Sequence, residues 1–191
     1  MKKTAITLVA SGMMITTIGC AAVAQERPAV PAPAAPVGGP ALHVRLINNE
    51  GQPAGRVHLK QGVSGVLMVV EAEGLTPGWH GIHLHATGQC EAPFTSAGAH
   101  INHADPKVPH GLLNPAGPDD GDLPNIYADA NGVAKAELFT SKARLTDGAP
   151  GQPLLDADGS AIVIHANRDD HTTQPIGGAG DRVACAVIKA N

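Results

Sequence analysis

The sequence predicts an all-β fold, an antiparallel sandwich or flattened barrel, on three observations. Apolar residues alternate with polar ones at period two, turn dipeptides fall between the alternating runs, and no stretch has convincing helical periodicity. Short strands patterned in this way bury one face by packing sheet on sheet or by closing into a barrel. Aromatic residues are 2% of the chain, so Val, Leu, Ile and Ala must fill the core.

Taken in order, the chain opens with Met1-Lys2-Lys3 and an apolar stretch over residues 5–18. This is the charged start and short apolar centre of a secretory signal, too short to span a bilayer. Thr17-Ile18-Gly19-Cys20 resembles a lipobox with Thr where Leu is usual, which sets the signal at residues 1–20 and makes Cys20 a lipidation site. Ala22-Val23-Ala24 offers an alternative cut after residue 24. The cysteine count favours lipidation, because Cys90 and Cys185 then remain as an even pair free to bridge in an oxidising compartment. Residues 21–40 form a linker, rich in Pro and Ala from residue 25 onward and semi-rigid in that composition. The expected location is periplasmic or in the cell envelope, with membrane anchoring through Cys20 if it is acylated.

Residues 41–191 suffice for one domain with a single core. Leu42, Val44 and Leu46 interleave with His43 and Arg45, and Val57 and Leu59 interleave with Arg56, His58 and Lys60, as in half-buried strands. Asn131-Gly132, between residues 126–130 and 133–139, predicts a tight type I′ hairpin, and Asp158-Gly159 precedes the apolar run 161–164 in the same manner. Residues 86–124 and 165–182 are two long loops. Segments of that length inside a compact domain are usually functional.

Ten of the 191 residues are histidine. They concentrate in Gly81-Ile82-His83-Leu84-His85, in His100-Ile101-Asn102-His103 running on to His110, and in Ile162-Val163-Ile164-His165. An isolated His-x-His pair is ordinarily a solvated polar face. In a strand, however, residues i and i+2 share a face about 7 Å apart, so His83 and His85 can both reach one metal ion.

The run from Pro77 to His85, then Ser96-Ala-Gly-Ala-His-Ile-Asn, then His110-Gly-Leu-Leu-Asn-Pro, then Gly121-Asp-Leu-Pro-Asn, resembles the metal-loop region of copper-zinc superoxide dismutases. Ile162-Val-Ile-His-Ala-Asn-Arg-Asp-Asp and Gly177-Gly-Ala-Gly-Asp-Arg-Val-Ala-Cys are similar to that family's last copper ligand and closing signature. The resemblance holds in order over about residues 42–188. It implies a bacterial, exported enzyme on a Greek-key β-sandwich, copper and zinc as cofactors and superoxide as substrate. A homodimer is compatible with it.

By this resemblance His83, His85, His100 and His165 bind copper, a set that suits both of its oxidation states. His100 also bridges to zinc, which makes it a proton carrier as well as a ligand. His110 and Asp122 match two further zinc positions. Where the family usually has a third histidine this chain has Asp119, and the stretch between His100 and His110 is two residues longer, with His103 standing where the family often has proline. Three readings stay open: Asp119 completes the zinc set, His103 swings in, or the site is weak. Asp169 matches a carboxylate that joins a copper histidine to a zinc histidine, and His80 a histidine that braces the site without ligating. Arg182 matches an anion-guiding arginine, and Arg168 is a second candidate for steering. His43, His58 and His171 are read as ordinary polar residues.

The resemblance also implies a Cys90–Cys185 bridge closing a loop of ~95 residues, worth on the order of 4–5 kcal/mol in the chain-entropy model. Without residues 1–20 the chain carries 11 basic and 17 acidic side chains, a net of −6 that does not suit nucleic acid. The alternative from another class is a non-catalytic copper-binding or copper-buffering lipoprotein with a degenerate zinc site.

Overall fold

The computed structural model describes residues 39–190; the signal, Cys20 and most of the linker lie outside the described residues. The chain forms β1 (Ala41–Asn48), β2 (Pro53–Gln61), β3 (Val66–Ala72), β4 (Gly78–His80), β5 (Ile82–His85), β6 (Ile126–Ala128), β7 (Ala134–Thr140), β8 (Ala143–Arg144), β9 (Gln152–Pro153), β10 (Ser160–His165) and β11 (Arg182–Ile188). Nine of these make one sheet in the order β4-β6-β7-β3-β2-β1-β11-β10-β5, and β8 pairs with β9 alone. The two outermost strands, β4 and β5, are separated in sequence by Gly81 only, so the sheet curls into a nearly closed antiparallel barrel. Gly81 itself is held by its N–H on Asn167 O and by His165 N–H on its carbonyl, both at 2.8 Å.

The barrel follows from the alternation. Val44 and Leu46 of β1, Val57 and Leu59 of β2, and Val66, Met68 and Val70 of β3 point inward and are buried, while His43, Arg45, Arg56 and Lys60 face out. Each large aliphatic side chain so buried contributes about 1.5–3 kcal/mol. β10 departs from alternation because all six of its residues are buried. Its outer face is covered by the long loop after β5, where Phe94 and Ala97 pack on Ala161, Val163 and Cys185. That loop contains a single 3-10 turn, Thr95–Ala97, and Cys90–Cys185 staples it to β11 with the Cα atoms 5.7 Å apart.

The hairpin between β6 and β7 forms where expected but not as type I′. That turn needs positive φ at both central residues, and here Gly132 has φ +75° while Asn131 does not share it. Gly132 N–H bonds Asp129 O at 3.0 Å and Asp129 N–H bonds Val133 O at 2.9 Å, the pattern of a type I turn followed by a glycine bulge. Asp129 decides the outcome: its carboxylate accepts from the N–H groups of Asn131 and Val133, an arrangement a two-residue loop does not allow. Among the described residues no helix is long and apolar enough to cross a membrane.

Candidate metal centre

β5 is the sheet's last strand, and the long loop runs along its free edge. Leu84 N–H bonds Gly121 O and Ile101 N–H bonds Leu84 O, at 2.9 and 3.0 Å. These contacts bring His100 beside His85 and Asp122 beside His83 as isolated bridges. On the other side β10 pairs with β5 and delivers His165 at its end. Ile82 and Leu84 fill the core, so His83 and His85 project to the opposite face, under the loops.

His83, His85, His100 and His165 are all buried, and one nitrogen of each lies within 4.8 Å of one nitrogen of every other. Three of the rings are fixed through the nitrogen facing away from the cluster: His83 Nε2 on Asp169 Oδ2 at 2.8 Å, His85 Nδ1 on Gly98 O at 2.9 Å, and His165 Nδ1 on Gly180 O at 3.0 Å. His100 Nδ1 lies 3.1 Å from Asp119 Oδ2. What remains is His83 Nδ1, His85 Nε2, His100 Nε2 and His165 Nε2, four buried nitrogens without a hydrogen-bond partner. A buried polar atom left unpaired costs about 1–3 kcal/mol, so four converging on one point fit a ligand that accepts their lone pairs. Burial pulls His83 down to about 3, His85 to about 2 and His165 to about 4, which leaves those lone pairs unprotonated at neutral pH. Four converging imidazole nitrogens are a donor set suited to copper.

A second cluster joins His100, His110, Asp119 and Asp122, again all buried and mutually within 4.8 Å. Both carboxylates are aimed by the backbone. Asp122 Oδ2 accepts from Gly111 N–H and Asp119 N–H, at 2.7 and 2.9 Å, leaving Oδ1 against His110 Nδ1 and 3.6 Å from His100 Nδ1. Asp119 Oδ1 accepts from Gly121 N–H at 3.0 Å, leaving Oδ2 for the cluster. Burial opposes the charged forms here, but the pairing outweighs it. His110 is pushed up to about 10 by Asp122 and Asp169, His100 is raised by Asp119 and Asp122, and Asp122 is held well below the usual carboxylate range by the two histidines. Two imidazoles and two carboxylates at such spacing could hold zinc. His103 is not among them: its side chain is 45% exposed and lies 3.7 Å from Asp120.

Asp169 ties the clusters together, with Oδ2 on His83 and Oδ1 3.1 Å from His110 Nε2. Burial would raise this carboxyl, yet the bonds from His110, His83 and the His171 N–H keep it ionised. Its backbone is clamped by Asn125, whose Nδ2 donates to Asp169 O at 2.8 Å and whose Oδ1 accepts from Asp169 N–H at 2.9 Å. Gly177, at φ +61°, passes so close that any side chain there would overlap Asp169 Oδ1. His80 braces the copper-type cluster from behind, its Nδ1 2.7 Å from His165 O and its Nε2 2.7 Å from Thr76 O.

Arg182, the first residue of β11, donates to Phe94 O at 2.6 Å and to Gly98 O at 2.7 Å. Gly98 O is also the acceptor that orients His85. Arg182 and Lys107 line a cavity of about 340 Å³ that reaches His100 and Asp119. Arg168 is exposed.

Sequence reasoning overlooked four of these residues. His171, read as an ordinary polar residue, instead adopts φ +62° beside Asp169, with its Nε2 accepting from Asn125 Nδ2 at 2.9 Å. Gln174 brackets His110, accepting from its N–H and donating to its carbonyl. Asn125 and Lys107 complete the set. Only Asn125 carried a signal, as the last residue of the Gly-Asp-Leu-Pro-Asn block.

Comparison with known proteins agrees with this geometry. The family model for copper/zinc superoxide dismutase matches residues 53–188. A copper-zinc superoxide dismutase of Caulobacter vibrioides is 58% identical over 142 residues, covering 73% of this chain and 80% of that protein. One from Aquifex aeolicus is 42% identical over 149 residues, 77% of this chain and 85% of its own. The crystal structure of a double mutant of a superoxide dismutase-like protein from Bacillus subtilis superposes with a TM-score of 0.72 at 36% identity, over 78% of this chain and 97% of that one. With the match spanning nearly the whole barrel and both histidine clusters inside it, the chain belongs to the copper/zinc superoxide dismutase family.

Proposed function

We propose that this protein is an exported superoxide dismutase, converting two superoxide anions and two protons to oxygen and hydrogen peroxide. The observation that carries the reading is the convergence of four partnerless imidazole nitrogens, one of them on a ring shared with a carboxylate cluster. Copper in the four-imidazole cluster would supply one-electron chemistry, accepting an electron from one superoxide and returning it to the next, with zinc in the His100, His110, Asp119 and Asp122 cluster as a fixed positive charge.

The chain's own residues do the rest. Arg182 presents a permanent positive charge to a small anion in the cavity, and its bonds to Phe94 O and Gly98 O hold it at that spot. His100 faces one cluster with Nε2 and the other with Nδ1, so its Nε2 can hold a proton and hand it to the reduced oxygen species. Asp169 fixes the tautomers and ring angles of His83 and His110. The copper-buffering lipoprotein is the weaker reading, because a buffer needs neither the arginine at the cavity nor a histidine shared between two clusters.

An envelope location with Cys20 acylated belongs to the same proposal, and a diacylglycerol mass on Cys20 tests it. So does a homodimer, supported by exposed Trp79 and Tyr127 stacked edge to face at 5.2 Å on β4 and β6, and read by sedimentation. For the activity, His83→Ala or His165→Ala should abolish both copper binding and superoxide removal while circular dichroism stays near wild type. High activity in either variant would overturn the ligand assignment.

A further inference from the structure

The outer face of β1 and β2 carries another imidazole pair, remote from the buried clusters in topology and on the solvent side of the barrel wall. His43 and His58 stand directly opposite each other in the antiparallel register. Their ring centroids are 4.0 Å apart at an interplanar angle of 73°. Val44, Val57 and Leu59 take the core side of the same strands, so both rings face outward. Among the described residues neither ring takes part in a hydrogen bond or ion pair, so no neighbouring group occupies their nitrogens.

We propose that His43 and His58 form a peripheral chelating site for one divalent transition-metal ion, Cu(II) foremost, with water in the remaining positions. Directly opposed residues hold their Cβ atoms about 4.5–5.5 Å apart. Two imidazole nitrogens bound to one ion at about 2.0–2.1 Å each must stand roughly 3–4 Å from one another. With the rings already at 4.0 Å, rotation of two solvent-facing side chains suffices to aim both at one point. Cu(II) leads because affinity of nitrogen donors for divalent first-row ions peaks there, with Ni(II) and Zn(II) weaker.

The surroundings set the strength. Arg45 and Arg56 are opposed to each other two positions along the same strands. Arg56 is neutralised by Glu71 at 2.5 Å, which leaves Arg45 and Lys60 to repel a cation. Two donors against that field bind far more weakly than four buried ones, so this site fills only after the central cluster and exchanges its ion with solvent.

The test is a titration of the full protein, already loaded with copper and zinc, with further Cu(II) at fixed pH, read by calorimetry and electron paramagnetic resonance. Wild type should take up a single further ion with a signal separate from that of the buried copper. His43→Gln and His58→Gln should each lose it with the superoxide-removal rate unchanged, and His103→Gln should keep it. No further uptake, uptake that survives in either His43→Gln or His58→Gln, or loss in His103→Gln alone would overturn the proposal. Because the comparison is between loaded wild type and its variants, the outcome does not depend on whether the buried centre is catalytic.

Discussion

Asp119 and His103 stand in the same loop, carry comparable metal-binding chemistry, and end in opposite places. Asp119 is buried, with one oxygen held by Gly121 N–H and the other 3.1 Å from His100 Nδ1, whereas His103 is turned to Asp120 at the surface. The difference lies in backbone direction. Two residues, Asp120 and Gly121, carry the turn from Asp119 to Asp122, and Asp122 Oδ2 accepts the Asp119 N–H, so both carboxylates are locked to one side. Sequence spacing supplied the residue types but not that direction, which is why three readings were open for the third outer ligand. If Asp119 binds zinc, Asp119→Ala should weaken zinc strongly and His103→Ala should leave it nearly untouched. Asp119→His should bind at least as well as wild type, a neutral nitrogen donor replacing an anionic oxygen of similar reach. Zinc affinities of the three variants at fixed pH decide this, and His103 essential with Asp119 dispensable would be the contrary result.

At the level of elements, the loop between β5 and β6 does two jobs. It seals the outer face of β10 with Phe94 and Ala97, and it carries His100, His110, Asp119 and Asp122 along the edge of β5. Three fasteners hold it: the Cys90–Cys185 bridge, the bonds from Arg182 to Phe94 O and Gly98 O, and the edge pairing to Leu84. Opening the disulfide, which spans 95 residues, removes about 4–5 kcal/mol in the chain-entropy model. Reduction should therefore lower the melting temperature and weaken zinc retention together. A drop in melting temperature with zinc affinity unchanged would show that the bridge does not support the site. β1 and β2 were legible because their alternation is written in eight and nine residues, and β10 because an apolar run follows the Asp158-Gly159 turn. β4, of three residues, and the two-residue pair β8 and β9 are too short for any period to register, and β6, equally short, was legible only from the turn that follows it. The turn at Asn131-Gly132 was misread because Asp129, two residues upstream, supplies the decisive hydrogen bonds.

Over the whole molecule, function and charge pull against each other. Residues 21–191 carry a net of −6, which repels an anionic substrate at long range. Attraction must come from local cations at the cavity, and Arg182 and Lys107 are the two that line it. Arg182→Glu should lower the second-order rate with superoxide and alter its dependence on salt while copper content holds. An unchanged rate at low salt would make Arg182 a structural fastener only. The proposed role of copper, held by four histidines, is that of a catalyst and not of a store. It is tested most directly by measuring copper content and superoxide removal on one purified sample, before chelation, after chelation and after copper is restored. Activity should follow copper through all three states. A sample holding its full copper yet removing no superoxide would contradict it.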